Sequence, residues 1–192
     1  GKLTAELKKS IEEAATLVVV EDLYRPYRPK RRTRATIAKE KGLEPLANII
    51  LLQMTKEPLE KEAEAFVSEE KEVKTAKDAI AGACDIIAES ISDEADYRME
   101  IRRRTEAKGL IVSTAKDENY YEFSEPVSKI AGHRVLALNR GEKEKFLNVK
   151  IEAPTEEILR YLEKKIITKE SPQTKPVLQA TIEDAYNRLI AP

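Results

Sequence analysis

Residue types that commonly build functional sites are scarce in this chain of 192 residues. It has no tryptophan, one cysteine (Cys84), one histidine (His133) and six glycines. A single cysteine excludes an intramolecular disulfide framework and a multi-cysteine zinc site, and a single histidine excludes a histidine-rich metal centre. Because no glycines stand in G-x-G-x-x-G or P-loop spacing, the sequence also lacks a glycine-rich phosphate-binding loop.

Long apolar runs and a net charge are lacking too. The longest apolar run, residues 14–20, is interrupted by Thr16 and is far shorter than the roughly 18 residues that a membrane span needs. Lys and Arg number 34 against 35 Asp and Glu, so the chain as a whole is not a basic nucleic-acid-binding protein. With 41% hydrophobic residues it can build a core. We expect a soluble domain from a reducing compartment, the cytoplasm, with no membrane partner.

The apolar residues that are present recur at helical spacing along most of the chain. Leu3 to Val18 predicts a first helix that fades near Glu21, Thr75 and Asp78 form a capping-box pattern, and residues 126–140 predict another helix. Alternation at 147–151 predicts one strand, with 110–112 as its partner. We predict an all-α or mostly α fold, an irregular multi-helix domain of about eight helices with at most a minor β element.

The domain organisation follows from the same pattern. We predict a single mostly helical domain over residues 1–192, with a sub-boundary near 113–124. Because the chain begins at Gly1 and ends at Pro192 directly after a helical pattern, we expect it to be a fragment of a longer chain.

Charge is unevenly distributed. Six of the ten residues from 25 to 34 are Lys or Arg, and residues 22–41 carry a local charge of +6, against −3 for residues 54–74. Pro26 and Pro29 keep this stretch out of a helix, so its arginines can reach successive phosphates, and Tyr24 and Tyr27 could stack on bases. The predicted nucleic-acid-binding residues are Arg25, Arg28, Lys30, Arg31, Arg32 and Arg34, with residues 102–104 as a weaker second cluster.

Two other interpretations of this stretch stay open. The bases could form salt bridges within the chain while Tyr24 and Tyr27 pack into the core, or the stretch could dock onto a protein partner.

Catalytic chemistry finds little support in the residues. Cys84 has apolar neighbours at helical spacing and is interpreted as a buried small hydrophobe, and His133 as a structural histidine. We therefore expect no catalytic residues, no metal, no cofactor and no enzymatic activity.

Two blocks of sequence resemble the bacterial Tex family. The first is EDLYRPYRPKRRTRATIA at residues 21–38 followed by KGLEPLA at 41–47; the second comprises FSEP at 123–126, GHRVLAL at 132–138 and RGE at 140–142. Tex proteins are transcription accessory factors, related to a eukaryotic elongation factor that travels with RNA polymerase. The resemblance implies that this chain is the N-terminal helical region, lacking the family's RNase H-like, helix-hairpin-helix and OB-fold RNA-binding domains.

These observations lead to one hypothesis and one alternative. The first is a non-catalytic helical scaffold of a Tex-like transcription accessory factor, which contributes weakly to RNA or DNA binding through its basic loop. The alternative is a protein-interaction module that docks onto RNA polymerase, other transcription machinery or the parent protein's other domains.

Overall fold

The computed structural model describes residues 3–115 and 122–192. Packing divides the chain into two compact units: Gly1–Met99 with Leu159–Pro192, and Glu100–Ile158. The sub-boundary predicted near 113–124 includes residues 116–121, which lie outside the described part of the chain, and it stays a prediction.

Helices dominate the described residues. The α-helices are α1 (Ala5–Glu12), α2 (Leu17–Tyr24), α3 (Arg34–Glu40), α4 (Glu44–Leu52), α5 (Leu59–Glu64), α6 (Ala76–Asp93), α7 (Ala95–Lys108), α8 (Gly132–Lys143), α9 (Thr155–Ile166) and α10 (Lys175–Asp184). A 3₁₀ turn at Arg25–Tyr27 follows α2, and a π-helical turn at Ala185–Ile190 follows α10. The strands are β1 (Leu110–Ala115), β2 (Phe123–Pro126) and β3 (Leu147–Glu152).

The first unit is organised around α6. Its start is the predicted capping box: Asp78 N donates to Thr75 Oγ1 and Thr75 N donates to Asp78 Oδ2, both at 3.1 Å. The helix packs against α3, α4, α5 and α10. A side chain at Gly82 would collide with Leu43 Cδ1 and would place its Cβ 3.3 Å from that of Ala38. Glycine therefore permits the close approach of α6 to its neighbours.

The core of this unit is aliphatic, as the lack of tryptophan and the low aromatic content predict. Its largest side chains are almost completely removed from solvent: Leu43, Leu46, Ile50, Ile87, Leu162, Leu178 and Ile182. Truncating any one of them to alanine should destabilise the fold by about 2–5 kcal/mol.

The second unit contains an antiparallel sheet of order β2-β1-β3. The predicted strand pair is confirmed, because Ile111 lies opposite Ile151 and Ser113 lies opposite Val149. On the other side of β1, Ser113 pairs with Phe123 and Leu110 pairs with Pro126. Pro126 has no N–H to give to a ladder, which is tolerated because β2 is an edge strand. Helix α8 packs against β3.

The predicted fold class is confirmed: the chain is mostly α with a minor β element, and the described residues hold ten α-helices rather than about eight. The helix predicted over 126–140 was wrong at its start, since β2 ends at Pro126 and α8 begins at Gly132. The first predicted helix is divided in two, because Thr16 Oγ1 accepts from Val19 N and begins α2 anew. Among the described residues, no helix has the length and apolar character of a membrane span.

Candidate nucleic-acid interface

The basic segment, defined as residues 25–34, joins α2 to α3 in the first unit. Its first three residues form the 3₁₀ turn, with Pro26 in the turn's opening positions. Arg28 then turns extended, with φ −63° and ψ 133°. A reciprocal cap ends the segment: Thr36 N donates to Thr33 Oγ1 at 3.1 Å, and Thr33 N donates to Thr36 Oγ1 at 2.7 Å. Regular structure on both sides thus fixes where the segment begins and ends.

One side of the segment is anchored to the end of α6. Arg25 Nε lies 3.4 Å from Asp93 Oδ1, and Lys30 Nζ lies 3.5 Å from Glu89 Oε2 and also pairs with Asp93. The two carboxylate side chains are only 15% and 16% exposed. Arg25 and Lys30, both predicted to bind phosphate, are therefore engaged in holding the segment in place.

The other side of the segment keeps its positive charge available. Arg28 and Arg31 are exposed, and neither forms an ion pair with a carboxylate in the part of the chain that the structure describes. Arg32 Nη2 lies 3.2 Å from Glu40 Oε2, but the two side chains are 70% and 62% exposed. An exposed pair of this kind is worth less than about 1 kcal/mol, so a phosphate can compete for Arg32.

Arg34, the first residue of α3, is exposed and affects the pKa values of two carboxylates through longer-range electrostatic interactions. Burial raises the pKa of Asp85, while Arg188 and then Arg34 oppose that rise. The pKa of Asp184 is lowered, mainly by its hydrogen bond from Arg188, with Arg34 adding to the effect. The charge of Arg34 is thus partly balanced by these carboxylates without a direct ion pair.

The acidic partners of the segment were missed in the sequence. Asp85, Glu89 and Asp93 are spaced four residues apart, which places them along one face of α6. They contact or influence Arg188, Lys30 and Arg25. The four-residue spacing of acids on a helix otherwise rich in Ala and Ile was the signal that could have found them.

The segment and the end of α6 border an open groove of about 450 Å³. Its lining includes the basic Arg28, Lys30 and Arg31 from the segment, Glu89 and Asp93 from α6, and Leu189 from the π-helical turn. A phosphate in this groove would meet guanidinium groups near the segment and carboxylates near α6. The groove therefore combines positive charge from the segment with negative charge from α6.

Two tyrosines accompany the basic side chains. Tyr24 is 48% exposed and Tyr27 is 36% exposed. The alternative in which both rings pack into the core is therefore wrong. Their exposed rings are available for contact with a ligand.

The second basic cluster, in the other unit, is tied to carboxylates. Arg103 donates to both Glu100 oxygens at 2.7 and 2.9 Å, and Arg104 donates to Glu100 at 2.8 Å. Arg104 and Lys108 also donate to Glu157, at 2.8 and 2.6 Å. The hydrogen bonds from the two arginines lower the pKa of Glu100 to about 2. This arrangement makes Arg103 and Arg104 part of an ion-pair network with Glu100 and Glu157.

Cys84 lies on α6 and His133 lies on α8. Burial raises the pKa of the half-buried Cys84 thiol, partly offset by a hydrogen bond with Thr181. His133 lies exposed on α8. In the described ranges, no group of three or more His, Cys, Asp or Glu residues is placed to hold a metal ion.

Fold and site together define a class: a mostly helical domain with a partly anchored basic segment on its surface. Residues 53–186 match the family described as Tex central region-like, so the chain belongs to that family, and the resemblance found in the sequence is confirmed.

Relatives agree with this assignment. The uncharacterized protein YdcI of Bacillus subtilis is 51% identical over 201 residues, covering 100% of this chain and 28% of that protein. Transcriptional accessory protein Tex of Neisseria gonorrhoeae is 35% identical over 158 residues, covering 78% of this chain and 20% of its own length. S1 RNA-binding domain-containing protein 1 of Homo sapiens is 26% identical over 215 residues, covering 100% of this chain and 21% of that protein. The chain thus spans less than a third of each relative.

Proposed function

We propose that this domain is a non-catalytic scaffold of a Tex-type transcription accessory protein in the cytoplasm, and that its basic segment binds nucleic acid. The family membership supports a role in transcription. The name of the human relative refers to RNA binding, which supports nucleic acid as the ligand class.

The observation that carries the proposal is that some bases of the basic segment contact carboxylates of α6, whereas others are exposed and unpaired in the part of the chain that the structure describes. Arg25 and Lys30 contact carboxylates of α6, so the two ends of residues 25–30 are tied to that helix. Arg28 lies between these two residues and Arg31 directly follows Lys30; both are exposed, and neither forms an ion pair among the described residues. Guanidinium groups on a tethered segment of this kind can bind phosphate bidentately, and their planar geometry means that little conformational freedom is lost on binding.

The mechanism is counterion release. Each phosphate neutralised by a base should contribute about 0.7 to the slope of log K against log salt for a single strand, and about 0.9 for duplex DNA. Since phosphates carry no sequence information, we expect little sequence preference. With few free bases, the affinity of this chain should be weak at physiological salt.

The test is binding of a labelled oligonucleotide over a salt series. The double variant Arg28→Ala/Arg31→Ala should lower both the affinity and the salt slope, the slope by about 1.4 for a single strand. The matched control is Arg140→Ala/Lys143→Ala, which removes two positive charges from the exposed surface of α8 in the other unit. If both double variants weaken binding equally, the basic segment has no special role and the proposal fails.

A second candidate function is protein docking, onto RNA polymerase or onto the parent protein's other domains. The observation that favours it is the exposure of Tyr24 and Tyr27 beside the arginines, since docking surfaces need apolar anchors among their charges. Absence of nucleic-acid binding at low salt, together with polymerase binding that Tyr27→Ala weakens, would favour this function over the first.

A further inference from the structure

The two tyrosines share a helical face with a free arginine. The backbone is helical at Tyr24 (φ −80°, ψ −22°) and at Arg25 (φ −51°, ψ −44°), so the coil of α2 continues into the 3₁₀ turn. The N–H of Arg28 donates to the Tyr24 carbonyl at 3.1 Å, the bond expected four residues along a helix. Residues three and four apart in such a coil are neighbours, so Tyr24, Tyr27 and Arg28 lie together.

Both tyrosines are partly exposed, and neither ring takes part in an aromatic or cation–π contact among the described residues. The ring contacts of the described residues include the edge-to-face pair of Tyr97 with Tyr161 and the cation of Lys165 over Tyr161. Neither involves Tyr24 or Tyr27, although six basic residues stand within the next ten positions. Two half-exposed aromatic rings beside a free guanidinium form a surface with flat apolar faces and positive charge.

This combination matches the chemistry of an unpaired nucleic-acid strand. In a duplex the flat faces of the bases are covered by their neighbours in the stack, whereas a single strand can offer them to an aromatic side chain. Phosphate contacts alone would serve a duplex as well as a single strand. Stacking on the two tyrosine rings would therefore favour a single strand over a duplex.

We propose that residues Tyr24, Tyr27, Arg28 and Arg31 form a binding site selective for single-stranded nucleic acid, with the rings stacking on bases and the guanidinium groups holding the intervening phosphates. This inference rests on the proposed function, since it names the form of nucleic acid that the basic segment takes. RNA and single-stranded DNA share the chemistry that the site recognises.

The test measures fluorescence anisotropy with oligonucleotides of about 12 nucleotides, within the span of small single-strand sites. Single-stranded RNA, single-stranded DNA of the same sequence and the corresponding DNA duplex are each titrated with the whole 192-residue chain. We expect either single strand to bind at least about five-fold more tightly than the duplex, as one stacking contact would produce. The tighter of the two single strands identifies the sugar that the site prefers.

Three variants separate stacking from charge and from packing. Tyr24→Ala/Tyr27→Ala should lose at least about five-fold in single-strand affinity while duplex affinity changes less than about two-fold. Tyr24→Leu/Tyr27→Leu keeps the bulk of both side chains without an aromatic face and should lose affinity similarly. Tyr24→Phe/Tyr27→Phe keeps the rings and should bind like the original chain. Circular dichroism on each variant confirms that its helices are retained.

The outcomes distinguish failure of the stacking site from failure of the phosphate site. If Arg28→Ala/Arg31→Ala weakens binding but single strands and duplex bind equally and the tyrosine variants have no effect, the stacking site is refuted and the phosphate site stands. If no oligonucleotide binds at low salt, or if binding ignores the arginine variant, both proposals fall.

Discussion

Gln53 offers a quantitative test of the packing described above. Its side chain is buried, 5% exposed, and reaches the chain beyond α9. Nε2 donates to the carbonyls of Ile166 at 2.7 Å and of Leu51 at 3.2 Å. Oε1 accepts from the backbone N–H groups of Thr168 at 3.1 Å and Lys169 at 3.3 Å. One amide therefore ties the end of α4 to a segment more than one hundred residues later in the sequence.

Gln53→Ala should remove all four hydrogen bonds. At a net 0.5–1.5 kcal/mol each, and with three of the four lost partners (Leu51, Thr168 and Lys169) on exposed residues that water can satisfy, the loss should be about 2–3 kcal/mol. Gln53 also has a left-handed backbone, with φ 54°, which alanine tolerates poorly and glycine tolerates well. Gln53→Gly should therefore lose about 1 kcal/mol less than Gln53→Ala.

The assay is urea denaturation followed by far-ultraviolet circular dichroism. With an m value of about 2 kcal/mol/M, the alanine variant should shift the midpoint down by about 1 M, and the glycine variant by about half as much. An alanine variant within about 0.5 kcal/mol of the original chain would refute the claim that the amide clamps the two segments. A glycine variant less stable than the alanine variant would refute the claim of backbone strain.

Two further perturbations test the other parts of the account. Hydrogen bonds from Arg103 and Arg104 lower the pKa of Glu100 to about 2. The stabilising contribution of Glu100 is therefore complete above about pH 4.5 and is lost as the pH falls toward 2. A carboxyl NMR titration should give that low pKa, and a value near 4.5 would contradict the network. Gly82→Ala should destabilise the chain by about 1–3 kcal/mol, because the new methyl group collides with Leu43. The control Ala81→Ser, on the exposed side of α6, should have little effect. Equal stability of the two variants in urea would contradict the close packing.

Local signals in the sequence predicted the elements whose cause is local. The capping box of Thr75 and Asp78 needs only four residues, and the alternation of Leu147, Val149 and Ile151 needs only five. Strand β2 carries no such pattern: its four residues, FSEP, include a serine and a proline, and they are a strand because β1 pairs with them. Hydrophobic periodicity does not reveal which segments distant in the sequence pair as strands.

The candidate site was predicted in part for the same reason. Six basic residues within ten positions are evident from the sequence; five of them lie on the connection between α2 and α3 in the structure, and Arg34 begins α3. Which of them are anchored depends on Glu89 and Asp93, which lie some sixty residues away and face the segment only after folding. The sequence thus indicated where the bases are, whereas the fold separates Arg25 and Lys30, which are held, from Arg28 and Arg31, which are free.

The central claim, that Arg28 and Arg31 hold nucleic-acid phosphate, is tested most directly by NMR of the arginine side chains. The Nε–Hε resonances of the 192-residue chain are followed while a single-stranded oligonucleotide is added, with assignments made by single Arg→Lys variants. We expect the resonances of Arg28 and Arg31 to shift most, while that of Arg103, bound to Glu100 through two hydrogen bonds, stays in place. Saturated binding that leaves Arg28 and Arg31 unshifted would contradict the account.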